Sequence, residues 1–384
     1  MLNKLRRIIK YSVRCFIYSL PALVYFIYYL LFILVSRALF WASGKAKISI
    51  TPDKSKLTVD GISIIIPTWN KRDMLEECLT NLDQIITSEK MMVPVEIIVI
   101  DNGSTDGTQK LVSSIPVRTP LKFYRFDSNM GFARAINHSI TLSRYNYIYL
   151  LNNDMFPRKF FLSEILNFAN QLLSRNHIFL GISSQIHFFD TQARREESGK
   201  TYTLPFAGYI EVAHYLNDEL LHSNSITAYL GGGSSFINKD IFVKLGGYDH
   251  KTYRPMYGED LDLSYKGWKV GIPSYYCANS HVVHHHRASS KSLNKDPSYF
   301  MYKNWLAFNL TNRTDFKMQL DHLFFYPLLI LTNPRFLRYA LDCVTQTRVL
   351  ISAHLNQLSL QNVYDDQRLL NFISFETHLN EYQK

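Results

Sequence analysis

Asparagine, aspartate and small polar residues follow four short apolar segments of the chain, and these side chains are suited to binding a polar ligand. Each apolar segment is predicted to be a strand, and ligands of open α/β sheets bind where the parallel strands end. A turn or a helix cap is the alternative at any single position. Four successive strand ends of this kind favour a binding site. The positions are Pro67-Thr68-Trp69-Asn70, Asp101 to Thr108, Asn129-Met130-Gly131-Phe132-Ala133 and Asn152-Asn153-Asp154.

A second group with possible chemistry is the histidine cluster formed by His281 and His284 to His286. Three adjacent histidines rarely bind one ion, because neighbouring side chains on a strand point to opposite faces. One or two of them can face a given site, and a structural role is the equal alternative for each. The sequence has no GxGxxG after the first strand, no GxxxxGK[ST], no HExxH and no GxSxG. A nucleotide site would therefore need another design.

The elements that must position these residues alternate between strands and helices. The predicted strands are ISIIIP (62–67), VEIIVID (95–101), LKFYRF (121–126) and YIYLLN (147–152), with predicted helices at 72–87, 105–114 and 132–143. This alternation predicts a mostly parallel sheet with helices on both faces. Beyond residue 290 the pattern is helical. The apolar run 322–331 is interrupted by Pro327 and is too short to span a bilayer, so it either lies on a membrane or packs in the core.

The segment from Cys15 to Ser36 contains 22 residues and no charge. As a helix it would be about 33 Å long, enough to cross the hydrocarbon core of a bilayer. A cleaved signal peptide has a shorter apolar region, so we predict a retained membrane anchor. A full span is favoured, and a helix lying in the interface is the alternative, supported by its tyrosines and Pro21. Cations on both sides leave the orientation open.

The composition limits the function classes. The chain has 384 residues, of which 47% are hydrophobic and 19% charged, a composition that argues against long disorder. Its net charge of +10 suits a nucleic acid, an anionic membrane or a phosphate-bearing substrate. Nucleic-acid binding leaves the acids at the strand ends unexplained. Four dispersed cysteines without a CxxC pair argue against a thiolate zinc site and favour a reducing compartment.

The motifs and their order resemble the family 2 nucleotide-sugar glycosyltransferases, over roughly residues 60 to 310. The chain is most similar to the bacterial rhamnosyltransferase-like branch, which builds surface polysaccharides. The motifs are PTWN (67–70), IVIDNGSTDGT (98–108), NMGFARAIN (129–137), LLNNDM (150–155), LGGGSSFINKDIFVKLGGYD (230–249), YGEDLDLSYKGWKVG (257–271), VVHHHRASS (282–290) and YFMYKNWLAF (299–308).

This resemblance implies a GT-A fold, in which an α/β nucleotide-binding half joins an acceptor half. Asp101 matches the acid that recognises the base and ribose, a role suited to a carboxylate because it accepts hydrogen bonds from N–H groups and hydroxyls. A cap for the following helix is the alternative for Asp101. The other predicted nucleotide-binding residues are Pro67, Thr68, Asn70, Asn129 and Gly131.

The resemblance places Asn152-Asn153-Asp154 at the family's DxD motif, which holds a divalent cation. Asp154 is the one carboxylate there, and Asn152 supplies a carbonyl oxygen or holds a water. We therefore expect Mg²⁺ or Mn²⁺ that arrives with the nucleotide sugar. His284 is predicted to lie near the metal, with His286 as the alternative, and Arg287 to contact the diphosphate.

Glu259-Asp260 matches the family's ED pair, so the resemblance implies Asp260 as the general base and Glu259 as its catalytic partner. Asp262 continues this acidic run at the start of a predicted helix, where a negative charge is favoured in any case by the helix dipole. Glycines permit close approach of the backbone to the donor sugar or acceptor. The predicted donor or acceptor residues are Gly232, Gly233, Asn153 and Arg287.

The predicted function is an inverting, metal-assisted, hexosyl-type transfer from a UDP- or dTDP-linked sugar to a glycan or lipid-linked acceptor. The enzyme would work at the inner membrane with its catalytic domain in the cytoplasm. A catalytically silent GT-A scaffold is the alternative, and a nucleotidyltransferase is disfavoured because PTWN lacks a Gly-rich, basic loop. The predicted regions are an anchor at 1–42, a linker at 43–60, the GT-A domain at 61–290 and a helical region at 291–384. The donor sugar, the acceptor and the oligomeric state are not predicted.

Overall fold

The structure is a computed structural model that describes residues 2–89, 91–189, 197–206, 209–285 and 296–374. The helices are α1 (Leu2–Ala42), α2 (Arg72–Ser88), α3 (Thr108–Ser114), α4 (Phe132–Leu142), α5 (Phe161–Ser174), α6 (Lys239–Lys244), α7 (Glu259–Lys269), α8 (Pro297–Asn312), α9 (Phe316–Thr332), α10 (Pro334–Thr345), α11 (Thr347–Ser359) and α12 (Asp366–Phe372). The strands are β1 (Ile62–Thr68), β2 (Val95–Asp101), β3 (Leu121–Arg125), β4 (Tyr147–Leu151), β5 (Met155–Pro157), β6 (Gly181–Phe188), β7 (Thr201–Phe206), β8 (Tyr209–His214), β9 (Ser225–Thr227), β10 (Ser234–Asn238) and β11 (Ser274–His284).

One large sheet organises the molecule. Its strands follow the order β3-β2-β1-β4-β10-β6-β11-β5, and β9 pairs with β11. The strands β3, β2, β1 and β4 are parallel, as are β6 and β11, whereas β10 runs antiparallel to both of its neighbours. The parallel half brings the ends of β1, β2, β3 and β4 to one edge, because parallel strands share a direction.

Helices cover both faces of this sheet. The helix α2 buries Leu75, Cys78, Leu79 and Leu82 on one face, at the three- and four-residue spacing of an amphipathic helix. The other face is covered by α4, where Ile136 packs in the same cluster as residues of β2 and β4. Strands with buried residues on both faces explain the continuous apolar runs of the sequence.

The apolar helix α1 and the C-terminal helices form a second cluster beside the sheet. Buried side chains of α1, α7, α8, α9, α10, α11 and α12 contact one another there. The predicted fold class is confirmed: an α/β domain with a mostly parallel sheet, an N-terminal apolar helix and C-terminal helices. The helix predicted at 105–114 begins at Thr108, because Gly103 and Gly107 adopt positive φ angles and extend the turn after β2.

The segment predicted as a linker lies against the body. Ile48 forms a parallel bridge with Leu360, in which Ile48 N donates to Ser359 O at 2.7 Å and Gln361 N donates to Ile48 O at 2.8 Å. The domain boundaries at 42, 60 and 290 stay predictions. Cys78, Cys277 and Cys343 are free and buried.

Candidate active site

The ends of β1 and β2 lie side by side and form the first part of the site. Thr68 is the sheet partner of Asp101. The Asp101 carboxylate is fully buried and accepts hydrogen bonds from Ser104 N at 2.9 Å and Arg125 Nη1 at 3.1 Å. Asn70 Oδ1 accepts a hydrogen bond from Thr105 N at 2.7 Å, so the loops after both strands are joined. Pro67 precedes Thr68 in β1 and is half-buried.

Asn102, which the sequence analysis assigned no role, connects the turn after β2 to the turn before α4. Its Oδ1 accepts a hydrogen bond from Met130 N at 2.7 Å, and its Nδ2 donates to Asn129 Oδ1 at 3.0 Å. Asn129 Oδ1 also accepts a hydrogen bond from Gly131 N at 2.9 Å. Gly103 is required beside it, because a Cβ atom there would lie 2.6 Å from the backbone of Ser128. The only sequence signal for Asn102 was its place in the motif IVIDNGSTDGT, directly after Asp101.

The glycine turn before β10 joins the end of β4 to the start of α7. Asn152 N donates to Gly233 O at 2.9 Å, and Gly232 N donates to Asp260 Oδ2 at 3.2 Å. A Cβ atom on Gly233 would lie 2.5 Å from Asn152 Nδ2, so a larger residue would displace that side chain. Asn153 Nδ2 donates to Thr68 Oγ1 at 2.9 Å. The structure therefore brings these predicted residues together.

Glu259 and Asp260 are the first two residues of α7, and their surroundings disfavour the charged form of each carboxyl group. Burial and the charge of Asp260 raise the pKa of Glu259. Burial, together with the charge of Glu197, raises the pKa of Asp260, while hydrogen bonds from the N–H groups of Leu261 and Gly232 act in the opposite direction. Glu259 Oε2 is buried and has no hydrogen-bond partner in the part of the chain that the structure describes.

Asp262 has a structural environment that differs from that of its neighbours. Its carboxylate accepts hydrogen bonds from Tyr253 Oη at 3.0 Å, Asn312 Nδ2 at 2.7 Å and Lys266 Nζ at 2.5 Å. These bonds connect α7 to α8 and to the loop before α7. Asp262 therefore holds elements in place, as a buried carboxylate with several donors does.

The loop before α7 is held by α8, a contact that the sequence analysis missed. Asn304 Nδ2 donates to Met256 O at 2.7 Å and to Tyr257 O at 2.9 Å, and Lys303 Nζ donates to Arg254 O at 2.9 Å. Both residues lie in the YFMYKNWLAF motif, which gave the only signal.

Asp154 and His284 approach each other at the end of the sheet. His284 Nε2 lies 3.6 Å from Asp154 Oδ2, and His284 Nδ1 is hydrogen-bonded to Glu197 Oε1. Burial alone would lower the pKa of His284, but the two carboxylates outweigh it and raise that pKa to about 9. Glu197 was not predicted from the sequence, because nothing around it marks a site.

A carboxylate and a neutral imidazole are ligands that Mn²⁺ and related cations accept, so His284 would release its proton on binding one. The other nitrogen of a metal-bound histidine commonly bonds a carboxylate, as His284 does with Glu197. These side chains therefore fit a divalent cation. Within the described residues no group of three or more histidine, cysteine or acidic side chains forms a complete cation site. Asn152 contributes a backbone hydrogen bond to the turn described above.

Of the remaining residues of the histidine motif, the structure describes His281 and His285 but not the two residues that follow. His281 Nδ1 lies 2.9 Å from His187 Nε2, in a separate pair. His285 N donates to Asp154 O at 2.9 Å. His286 and Arg287 lie outside the described residues.

A cavity of about 420 Å³ opens at Asn129 and Gly131, two of the predicted nucleotide-binding residues. It is lined by Asn129, Met130, Gly131, Phe132, Ala133, Arg134, His250, Tyr253, Arg254 and Pro255. The exposed guanidinium groups of Arg134 and Arg254 suit an anionic ligand, because guanidinium donors match phosphate oxygens. Asp154 and Asp260 are not among its lining residues.

Residues 63–213 match the family model described as glycosyl transferase family 2. Chondroitin synthase of Escherichia coli is 24% identical over 248 residues, which cover 60% of this chain and 35% of that protein. Poly-beta-1,6-N-acetyl-D-glucosamine synthase of Staphylococcus aureus (strain MSSA476) is 28% identical over 139 residues, which cover 34% of this chain and 32% of that protein. The chain thus spans about a third of the length of these two relatives.

The crystal structure of GalNAc-T7 with UDP, GalNAc and Mn²⁺ has a similar fold. The TM-score is 0.53 at 15% sequence identity, and the similarity covers 70% of this chain and 52% of that chain. The fold of the chain is of the GT-A type, as predicted. Over residues 63–213 the chain is therefore similar to the family 2 glycosyltransferases, and it is similar in sequence to these two synthases.

Proposed function

We propose that the chain is an inverting, hexosyl-type glycosyltransferase that moves a sugar from a nucleoside-diphosphate sugar to a hydroxyl of a glycan or lipid-linked acceptor. The supporting observation is a continuous set of contacts from the predicted donor residues to the predicted base. Asn153 binds Thr68 at 2.9 Å, Asn152 binds Gly233 at 2.9 Å, and Gly232 binds Asp260 at 3.2 Å. Substrates bound along these contacts would be held in a fixed relation to the base.

Asp260 is proposed as the general base. Its carboxylate takes the proton of the acceptor hydroxyl while the acceptor oxygen bonds to the anomeric carbon of the donor sugar. The bond from that carbon to the diphosphate breaks on the opposite face, so the nucleoside diphosphate leaves with the electron pair and the configuration inverts. The raised pKa of Asp260 supports this role, because a base becomes more effective as its pKa approaches the working pH.

Glu259 is proposed to bind substrate beside the base. Its buried Oε2 has no hydrogen-bond partner among the described residues, and burial raises its pKa, which favours the neutral acid at neutral pH. A neutral carboxyl can donate one hydrogen bond and accept another. It would therefore orient a substrate hydroxyl without repelling Asp260.

The nucleotide is proposed to bind at the ends of β1 and β2. Asp101 would contact the base and ribose, with Pro67, Thr68 and Asn70 lining the pocket. Asn129 and Gly131 lie at the turn that Asn102 holds. The basic rim of the 420 Å³ cavity suits an anionic group of a substrate. GalNAc-T7 was solved with UDP, so UDP-linked sugars are the first donors to test, followed by dTDP-linked sugars.

Asp154 and His284 are proposed to hold a divalent cation, Mg²⁺ or Mn²⁺, together with the diphosphate. Such a cation would neutralise the charge that develops on the leaving diphosphate. Glu197 would orient the imidazole of His284. Arg287, outside the described residues, is proposed to contact the diphosphate.

The acceptor is proposed to be a growing cell-surface polysaccharide or its lipid-linked precursor, at the cytoplasmic face of the inner membrane. Two relatives are named as synthases of polysaccharides, which supports this class of product. The motif order supports the rhamnosyltransferase-like branch. The apolar α1 supports membrane association.

The test compares wild type, Asp260→Asn and Glu259→Gln in two assays. Donor affinity is measured by calorimetry with a panel of nucleotide sugars, and transfer by diphosphate-nucleoside release with membrane extract as acceptor. We expect Asp260→Asn to bind donor normally and to transfer roughly 10²–10⁴-fold more slowly, the usual contribution of a general base. Glu259→Gln keeps a donor and an acceptor and should lose less.

Two outcomes would contradict the proposal. Near-normal transfer by a folded Asp260→Asn variant would exclude this residue as the base. A wild-type protein that binds a nucleotide sugar and never releases its nucleotide, with any acceptor fraction, would instead indicate a silent scaffold.

A further inference from the structure

One face of the apolar helix α1 is buried against the protein and the opposite face is exposed. Residues 16–42 are long and apolar enough to cross a membrane by length and composition. Five side chains spaced three or four residues apart form most of the buried face, and each is at most 4% exposed. They are Ala22, Tyr25, Tyr29, Phe32 and Ile33.

The buried face makes polar contacts in the middle of the helix and near its C-terminal end. Tyr25 Oη lies 2.8 Å from His322 Nε2 of α9. Arg37 Nη2 donates to Gln319 Oε1 at 2.9 Å and to Thr314 O at 3.0 Å. Gln319 in turn donates to the backbone of the fully buried Arg313 at 2.9 Å. A perpendicular span through residues 16–36 would carry the Tyr25–His322 pair to the depth of the hydrocarbon, where polar groups are costly, whereas Arg37 lies just beyond the end of that span.

The exposed face forms an apolar strip along α1 from Phe16 to Trp41. At 1.5 Å per residue, the helix from residue 16 to 42 is about 40 Å long. Phe26 contacts Phe324 with ring centroids 5.8 Å apart, so the strip continues onto α9. The exposed apolar side chains of α1 are Phe16, Ile17, Leu20, Leu23, Val24, Ile27, Leu30, Leu31, Leu34, Val35, Leu39 and Trp41. Those of α9 are Phe316, Phe324, Phe325 and Leu328.

Exposed lysine and arginine residues lie close in sequence to the two helices that carry the strip. Lys45 and Lys47 follow α1, Lys317 lies in the first turn of α9, and Arg335 and Arg338 lie in the first turns of α10. Cations beside an apolar surface match the anionic headgroups that cover a bilayer's hydrocarbon. A soluble partner would need no such charge, and a second copy of this chain would bring like charges together.

We propose that α1 and α9 lie in the plane of one anionic membrane leaflet, with the strip in the acyl region and the body on a single side. This arrangement differs from the span that the sequence favoured, and it agrees with the alternative of an interfacial helix. The chain is thereby a monotopic membrane protein. The proposal concerns attachment and does not depend on the reaction at the site.

The first test determines on which side of the membrane each of three reporter cysteines lies, in the full-length protein carrying Cys15→Ser. Single reporters Lys4→Cys and Lys45→Cys lie on either side of the apolar segment 16–42 in the sequence, and Lys110→Cys marks the exposed surface of α3. Intact and permeabilised cells are treated with a membrane-impermeant maleimide. We expect all three reporters to label under the same condition. Labelling of position 4 from the side opposite to positions 45 and 110 would overturn the proposal, because α1 would then cross the bilayer.

Vesicle flotation gives the second test, with vesicles of phosphatidylglycerol and phosphatidylcholine. The variant Leu20→Glu/Val24→Glu/Leu31→Glu charges side chains that are 67%, 58% and 54% exposed. We expect its vesicle-bound fraction to fall at least tenfold. The control Thr80→Glu/Gln84→Glu/Gln109→Glu adds the same charge at exposed polar sites on α2 and α3 and should bind like wild type. Equal flotation of both variants would overturn the proposal, as would a wild type that ignores vesicles and forms stable dimers.

Discussion

Asp260 combines two opposing influences on its charge. Two backbone N–H donors stabilise the carboxylate, at 2.8 Å from Leu261 and 3.2 Å from Gly232. Burial and Glu197 favour the neutral acid more strongly, so the pKa is raised. A carboxyl with a raised pKa is protonated, and inactive as a base, at a higher pH than an ordinary aspartate. The donors therefore orient the side chain while its surroundings increase its basicity.

Asp154 carries the proposed cation site with His284, and metal removal tests it. We expect an excess of chelator to abolish transfer and Mn²⁺ or Mg²⁺ to restore it. Asp154→Asn keeps the side-chain size and removes the charge, so the Mn²⁺ concentration for half-maximal transfer should rise at least about tenfold, as when a metal site loses one of its supporting groups. The measurement is transfer rate against free Mn²⁺.

Asp60→Asn is the matched control for that measurement. Asp60 is exposed and precedes β1, at the edge of the sheet opposite the site. Its Mn²⁺ dependence should equal that of wild type. An unchanged Mn²⁺ dependence in Asp154→Asn would show that the cation is held elsewhere.

At the scale of elements, α8 positions the loop that leads into the proposed catalytic pair, Glu259 and Asp260. Tyr257 and Gly258 adopt positive φ angles directly before Glu259, so the loop has an unusual backbone path. Asn304 supports it through hydrogen bonds to two consecutive carbonyl groups, at 2.7 and 2.9 Å. The start of α7 therefore depends on a helix that lies about 40 residues later in the chain.

Removing these bonds should displace the proposed base, Asp260. We expect Asn304→Ala to slow transfer by roughly 10–100-fold, because small displacements of a catalytic group have effects of this size. Met301→Ala, on the exposed side of the same helix, should leave transfer unchanged. Transfer rates and thermal midpoints are measured for both variants. A folded Asn304→Ala protein with wild-type transfer would show that the loop holds its position without α8.

The strand ends could be predicted from the sequence, and several of their partners could not. Buried strands appear in the sequence as continuous apolar runs. Asp101 was therefore placed correctly at the end of β2, and Asp154 was placed correctly just beyond β4. Glu197 and Asn304 reach the site from distant segments, through contacts that no local pattern encodes. Asn102 lay inside a recognised motif, but the same letters describe a simple turn. Local periodicity predicts elements, whereas long-range hydrogen bonds appear only in the folded chain.

At the scale of the molecule, a buried ion pair joins α7 to the C-terminal helices. Lys269 Nζ lies 2.8 Å from Asp366 Oδ1, and both side chains are fully buried. Asp366 also accepts hydrogen bonds from Thr314 N at 2.7 Å and Tyr265 Oη at 2.9 Å. Burial alone would raise the pKa of Asp366, but Lys269 and the backbone donors outweigh it and lower that pKa. The carboxylate therefore stabilises the folded chain.

Asp366→Asn should destabilise the whole molecule by about 3–5 kcal/mol, because Lys269 would remain as a buried charge without its counter-ion. The measurement is unfolding by urea in detergent, with the unfolded fraction monitored by proteolysis. Asp73→Asn removes an exposed partner of Arg72 and should change the free energy of unfolding by less than about 1 kcal/mol. The double variant Lys269→Met/Asp366→Leu should recover much of the loss, since an apolar pair leaves no charge unpaired.

The same pair predicts how the difference between wild type and Asp366→Asn varies with pH. The folded-state pKa of Asp366 is lowered relative to the unfolded chain, where an aspartate titrates near about 3.9. The stabilisation is therefore fully present above that value and is lost as the pH falls through the folded-state pKa. We expect a constant stability gap between the two proteins from pH 5 to 7 and a shrinking gap below about pH 4. A gap that widens on acidification would mean that Asp366 is neutral in the folded chain, and that Lys269 is stabilised by Asn312 O and Thr314 Oγ1, its other partners at 3.0 and 2.6 Å.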